Sequence, residues 1–265
     1  MLEYDFEYDG VCLSDMGYVV CSFDGSSETM LEGSNITFNQ TSIAMGKQHL
    51  LASIKYEECL TTEFDICKKR CGGDLNDFSL SAQEEMQMRR WLNRKKFFKF
   101  RPLSERYNGI YFNGSFNIQT KELGGKIIGM HLVFTSESPF GYTDASYKFD
   151  IEGNGQYTLY GMSDEAGDDL LNIEVMCKAA GDLEITNLFN DRKTVIKNCS
   201  EGEVISINNM IIRSSLESHD EVIANDFNFI FPMVCNDYGD RKNVFKFSLP
   251  CSVVFKYKEL RKIGI

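Results

Sequence analysis

Apolar and polar residues alternate with a period of two along most of the chain. Near the N-terminus Tyr4, Phe6 and Tyr8 fall on one side of the alternation and Glu3, Asp5, Glu7 and Asp9 on the other. That is the mark of a half-buried strand, and Asp9-Gly10 closes it as a turn. Gly17 to Phe23 predicts a second strand. Ile36, Phe38 and Ile43 continue a weaker β pattern, and Leu50 to Tyr56 and Thr62 to Ile66 add two more strands. Residues 26 to 34, rich in Ser, Glu and Gly, read as an exposed loop. Farther on, Lys126 to Thr135 is apolar on both sides of its alternation, as expected of a central strand, and Gly124-Gly125 before it predicts a hairpin turn. Asn113-Gly114 fits two situations: a type I′ turn, or a glycine inside a strand where another segment approaches closely.

The period turns helical once. Ser81-Ala82-Gln83-Glu84 is a capping box, in which the serine oxygen accepts from the third backbone N–H and the glutamate reaches back to the cap. It predicts a helix over about 81–95. Glu84 and Glu85 sit at the positive end of its dipole and Arg89, Arg90, Arg94, Lys95 and Lys96 at the negative end. Glu85 and Arg89 have the spacing of an i,i+4 pair. Met88, Trp91 and Leu92 form a short apolar stripe, with Trp91 expected to anchor the helix to a sheet. Period two returns at Phe98 and Phe100, Arg101-Pro102 reads as a break, and Tyr107 to Thr120 as one or two strands.

Ser138-Pro139-Phe140-Gly141 marks the expected boundary between an N-terminal β-domain, 1–140, and a C-terminal domain, 141–265. The second domain is a run of short strands: Ser146 to Ile151, Gln156 to Tyr160, Leu171 to Cys177, Asp182 to Asn187, Thr194 to Lys197, Glu203 to Asn208, Met210 to Ser214, Phe245 to Leu249 and Cys251 to Tyr257. Turns such as Gly153-Asn154-Gly155 and Glu201-Gly202 separate them, the signature of a β-sandwich or jelly roll. The expected fold class is therefore mainly β: an N-terminal β-domain with one α-helix, then a sandwich.

Composition narrows the function classes. Twenty Phe and twelve Tyr in 265 residues favour strands. No stretch approaches the roughly 20 apolar residues of a membrane-crossing helix, and the acidic, alternating start lacks the basic residues and apolar run of a secretory signal. A formal net charge of -11 argues against wrapping duplex DNA, which needs a basic face. The odd count of nine cysteines reads as reduced thiols. Cys67 and Cys71 have the wrong spacing for zinc, and His49, His131 and His219 are scattered.

No catalytic constellation emerges. There is no phosphate loop and no Gly-x-Ser-x-Gly elbow. The acidic clusters Asp164-Glu165, Asp168-Asp169 and Glu217 to Glu221 read as solvated turns, and the first lacks the alternation and distal glutamate of an EF-hand loop. The basic run Arg89 to Lys99, interleaved with aromatics, has the composition of a single-strand contact, but a helix C-terminus with complementary charge accounts for it.

The order of features resembles one family. A β-rich half holds a capped helix with a tryptophan, then Phe100 to Leu103 (Phe-Arg-Pro-Leu), Tyr107-Asn108-Gly109, the Gly124-Gly125 hairpin, Val133-Phe134-Thr135 and Ser138-Pro139-Phe140. The second half carries Ile185-Thr186-Asn187, Gly202-Glu203, Asn225-Asp226-Phe227-Asn228 and Phe231-Pro232, and closes with a strand and a short basic end, Tyr257 to Ile265. This resembles the distal tail proteins of siphophages and their prophage relatives over nearly the whole chain. The resemblance implies an N-terminal ring-forming β-domain with a protruding hairpin and a C-terminal galectin-like sandwich, with the last strand free to return to the N-terminal domain. It implies a homohexameric ring at the virion tail tip that joins the tail tube protein to the tail-associated hub or adhesin, with the tape measure protein inside. It also implies no catalytic residue, cofactor or metal, no membrane and no specific nucleic acid, for a protein made in the host cytoplasm. An acidic lumen would let DNA slide without sticking. The competing reading is a carbohydrate- or receptor-binding tail component with Tyr157, Tyr160 and Tyr238 as a glycan platform. A glycan-degrading enzyme would instead require two facing carboxylates, and no motif supplies them.

Overall fold

The computed structural model describes residues 5–23, 36–42, 49–56, 59–69 and 78–263. Tyr4, Ile43, Cys71 and the expected loop at 26–34 lie outside the described residues. The chain divides into two compact units, Met1–Tyr142 with Arg261–Ile265, and Thr143–Leu260.

The first unit holds β1 (Phe6–Tyr8), β2 (Val11–Cys12), β3 (Tyr18–Cys21), β4 (Ile36–Ser42), β5 (His49–Tyr56), β6 (Thr61–Lys68), β7 (Phe98–Pro102), β8 (Phe112–Leu123) and β9 (Lys126–Ser136), with helix α1 (Ala82–Leu92) between β6 and β7. Seven of these strands form one antiparallel sheet in the order β2-β1-β7-β8-β9-β6-β3. Fully buried Leu13 links the two edges: its N–H donates to Phe6 O at 2.9 Å and its carbonyl accepts from Tyr18 N at 3.3 Å. The sheet curls around an aromatic core. Phe116 lies at its centre, with ring centroids 5.7 Å from Phe6, 5.1 Å from Tyr8, 5.5 Å from Phe100 and 5.1 Å from Phe134. Each such pair is worth about 0.5–1.5 kcal/mol beyond burial.

Both halves of the capping box form: Ser81 Oγ accepts from Glu84 N, and Glu84 Oε2 accepts from Ser81 N at 2.8 Å. Trp91 stacks on Phe6 at 6.0 Å and donates from Nε1 to Tyr8 O at 3.1 Å, so it does anchor the helix to the sheet. The helix ends at Leu92, short of the expected 95. Asn93 leaves helical geometry and its Nδ2 donates to Phe116 O at 2.9 Å. Arg94 is therefore not part of a helix C-terminus. Its guanidinium lies 3.7 Å over the Phe98 ring and pairs with Asp9 at 2.8 Å.

Gly114 lies inside β8 opposite Phe98 and Ser136, not in a turn. A Cβ there would fall within the van der Waals shells of the Phe134 ring and Thr135 O, so the close-approach reading holds. Arg101-Pro102 does not break the chain: it completes β7, with Pro102 opposite Phe6. β8 and β6 pair with both edges of β9, so it is an interior strand, but only the face with Met130, Leu132 and Phe134 is buried; the face with His131 and Val133 is half-buried.

The second unit holds, apart from the first two residues of β10 and the last of β20, β10 (Gly141–Ile151), β11 (Gln156–Tyr160), β12 (Gly167–Leu170), β13 (Asn172–Cys177), β14 (Gly181–Asn187), β15 (Arg192–Cys199), β16 (Val204–Asn208), β17 (Ile211–Ser214), β18 (Met233–Asn236), β19 (Lys242–Phe247) and β20 (Cys251–Arg261). Two sheets, β10-β20-β13-β16-β17 and β11-β19-β14-β15, form a sandwich, and β12 pairs with β18. The core is mostly aliphatic. Ile173, Val175, Ile205 and Val253 from one sheet share it with Leu183, Ile185, Ile196 and Phe245 from the other. A buried amide seam crosses the second sheet. Asn243 Oδ1 accepts from Asn187 Nδ2 and from Cys235 N, each at 2.8 Å, and Asn243 Nδ2 donates to Cys235 O at 2.8 Å. These bonds satisfy groups that burial would otherwise penalise.

Asp164-Glu165 lies in a bend, as expected, but the other two acidic clusters are not simple turns. Glu217 to Glu221 falls largely in a short helix, α2 (Glu217–Asp220), followed by α3 (Ile223–Asp226). Asp168 and Asp169 lie in β12, opposite Cys235 and Val234.

Candidate assembly surface and other sites

The β4–β5 hairpin is a two-stranded sheet of its own. Its cross-strand pairs alternate: Ile36 with Tyr56 and Phe38 with Ile54 on one face, Thr37 with Lys55 and Asn39 with Ser53 on the other. The ladder shifts register after Asn39, and Leu51 then pairs with Gln40. On the polar face Asn39 Nδ2 donates to Ser53 Oγ at 2.8 Å. The hairpin is held at its base, where Tyr56 packs edge-on against Phe140 at 4.8 Å and Lys262 Nζ lies 5.8 Å from the same tyrosine ring. Farther out the apolar side chains stay in water: Phe38 and Ile54 are each 55% exposed and Leu51 is 52% exposed. An isolated two-stranded ribbon is at best marginally stable in water. Burying side chains of this size is worth about 1.5–3 kcal/mol each, so this face has a strong thermodynamic reason to be covered.

The titratable clusters serve the fold. Fully buried Glu203 accepts from Ser200 N at 2.7 Å and Ser214 Oγ at 2.5 Å, and its Oε1 lies 2.5 Å from His219 Nδ1. Burial alone would raise its pKa, but these partners together hold it below the usual carboxylate range. The serine donates to the glutamate and not to the histidine, so this is not a nucleophile–base arrangement. His131 Nδ1 lies 2.8 Å from Asp65 on the first unit's sheet. Asp169 accepts from Ser163 Oγ and Asn236 Nδ2, and burial pushes its pKa up. As consecutive strand residues, Asp168 and Asp169 point to opposite faces and do not face each other as an acid pair would. Among the described residues no group of three or more His, Cys, Asp or Glu side chains is arranged to hold a metal ion. The eight cysteines among the described residues are free thiols, four of them buried: Cys177, Cys199, Cys235 and Cys251.

The three tyrosines considered as a glycan platform do not share one face. Tyr157 packs against the sandwich core and stacks on Phe149 at 3.6 Å. Tyr160, three positions along β11, falls on the outward face and is 58% exposed. Tyr238 lies in the turn before β19 and donates to Glu165 Oε1 at 3.1 Å. The strands of the exposed hairpin were readable from alternation, but that no third strand joins it among the described residues left no signal in the sequence.

A family model described as the N-terminal domain of phage tail proteins matches residues 1–138, and one described as a phage tail C-terminal domain matches residues 140–257. The fold is similar to the crystal structure of SPP1 Dit (gp 19.1), described as a paradigm of the hub adsorption apparatus in phages infecting Gram-positive hosts. The TM-score is 0.64 at 14% sequence identity, over 97% of this chain and 99% of that one. No curated protein matches.

Proposed function

Because the chain belongs to the family of phage tail proteins that those two models describe, we propose that it is a structural distal tail protein whose copies close into a ring at the tail tip. The observation that carries this reading is the exposed apolar face of the β4–β5 hairpin. A ring needs a heterologous contact, in which one surface of each copy meets a different surface of the next. A hairpin with one exposed apolar face, and with no third strand on either edge among the described residues, supplies one side of such a contact. The number of copies, six, comes with the resemblance to distal tail proteins. So do the partners: the tail tube protein on one side, the hub or adhesin on the other, and the tape measure protein within. In this role the protein contributes surfaces and not chemistry, and Glu203, His131 and Asp169 are used by the fold itself.

The test is the native mass of the full-length chain by light scattering on a sizing column, with negative-stain images of the same peak. The expected result is a closed ring of six copies. A monomer at every concentration, both alone and mixed with tail tube and hub proteins, would overturn the reading.

A further inference from the structure

The outward face of the sheet β11-β19-β14-β15 is cationic, although the chain carries a net charge of -11. One ladder crosses all four strands as Gln156, Lys246, Thr186 and Lys193. Lys242 stands opposite Tyr160 on the same face, and Lys197 lies farther along β15. The acids on this face are already engaged. Glu184 pairs with Lys193 at 2.7 Å, and Asp182 Oδ1 accepts from Asn198 N at 3.0 Å. Lys197, Lys242 and Lys246 are exposed and have no ion-pair partner among the described residues. The other sheet of the sandwich also carries exposed lysines, Lys148 in β10 and Lys256 in β20, alongside Lys178, which pairs with Asp150 at 2.7 Å.

We propose that this face binds an anionic glycan chain. The charge calls for an anionic occupant. Lysine is depleted in protein–protein interfaces, so a face built on unpaired lysines is a poor core for a protein partner. Ammonium groups on flexible stems act as point charges and suit a chain of spaced carboxylates or phosphates. Tyr160 adds an aromatic ring with an apolar body and a polar tip beside Lys242. It can stack on a sugar while the lysine meets the acid substituent. Four strands at their usual spacing make the ladder about 14 Å wide, a short track for a single polymer chain and too few charges to hold duplex DNA against salt.

The experiment uses full-length protein and three labelled probes at low salt: polygalacturonate, neutral dextran, and a duplex DNA of matched charge. We expect saturable binding of polygalacturonate that weakens with added salt, no binding of dextran, and DNA held far more weakly. The double substitution Lys242→Gln with Lys246→Gln is expected to weaken polygalacturonate binding roughly tenfold or more, about 1.4 kcal/mol. Tyr160→Ala should weaken it severalfold, while Tyr238→Ala and Lys148→Gln leave it unchanged. The proposal is overturned if polygalacturonate does not bind, if binding ignores the substitutions at Lys242, Lys246 and Tyr160, or if DNA binds as tightly. Because the substituted positions lie in the second unit, outside the hairpin, these outcomes do not depend on ring formation.

Discussion

In the β8–β9 hairpin, Phe116, Leu132 and Phe134 are sealed from water: β7 and β6 pair with the two edges of the ribbon, and its apolar face packs into a core with Phe6, Tyr8, Phe100, Met88 and Leu92. In the β4–β5 hairpin, Ile36, Phe38 and Ile54 follow the same alternation, yet no further strand joins either edge among the described residues and the side chains stand in solvent. The chemistry of the two ribbons is alike; their neighbours differ. Apolar residues in the first stabilise the monomer, whereas those in the second can contribute only when something outside the unit covers them.

The sharpest way to break this comparison is to make the exposed hairpin polar. Phe38→Ser with Ile54→Ser should abolish assembly, read as loss of the ring peak in light scattering. The unfolding free energy of the single chain should stay within about 0.5 kcal/mol, as for an ordinary surface change. A large drop in the stability of the single chain would show that the hairpin is part of the unit's own core. The opposite case is Phe116→Ala. It should cost about 3–5 kcal/mol in denaturant unfolding, because it empties the centre of the aromatic cluster.

Gly114→Ala sharpens the same contrast at the backbone. The added methyl would press on Thr135 O, a backbone atom that cannot swing aside, as well as on the Phe134 ring. The expected loss is about 1–3 kcal/mol. Ser81→Ala removes one half of the capping box and should cost about 1 kcal/mol.

The smallest effect is a pH dependence. Burial alone would raise the Glu84 carboxyl from its ordinary 4.5, but the Lys68 ammonium at 2.8 Å and the Ser81 hydroxyl and amide outweigh it and hold it down to about 2. A depressed carboxylate stabilises the fold above its unfolded pKa and loses that contribution as pH falls through the folded one. Thermal unfolding midpoints should therefore decline between pH 4.5 and about 2. Lys68→Met should flatten that slope, and an unchanged slope would show that other carboxylates carry it.

The amount of structure legible in the sequence differed from region to region. The capped helix was readable because capping is local: Ser81 and Glu84 are three residues apart and need nothing else. Its end was not, since Asn93 leaves the helix for the carbonyl of Phe116, a partner in a different strand. The strands β12 and β18 were hidden because Gly167-Asp168-Asp169-Leu170 has the composition of a turn and pairs only with a segment far along the chain. Of the candidate tyrosines, only their positions in the strands decided their environments. Tyr157 and Tyr160 are an odd number of residues apart in β11, which sends one to the core and the other to solvent.

By itself the sequence determined that the chain would be mainly β, with one amphipathic helix, a sandwich in its second half and no local catalytic motif. Period, capping and turn chemistry act within a few residues, so they are written where they operate. Tertiary structure alone decided whether Gly114 was a turn or a close approach, which acidic residues were engaged, and which apolar faces were left uncovered. Each of those depends on which distant segments become neighbours. Alternation shows that a strand has an apolar face, but only the packed fold shows whether the chain itself covers it.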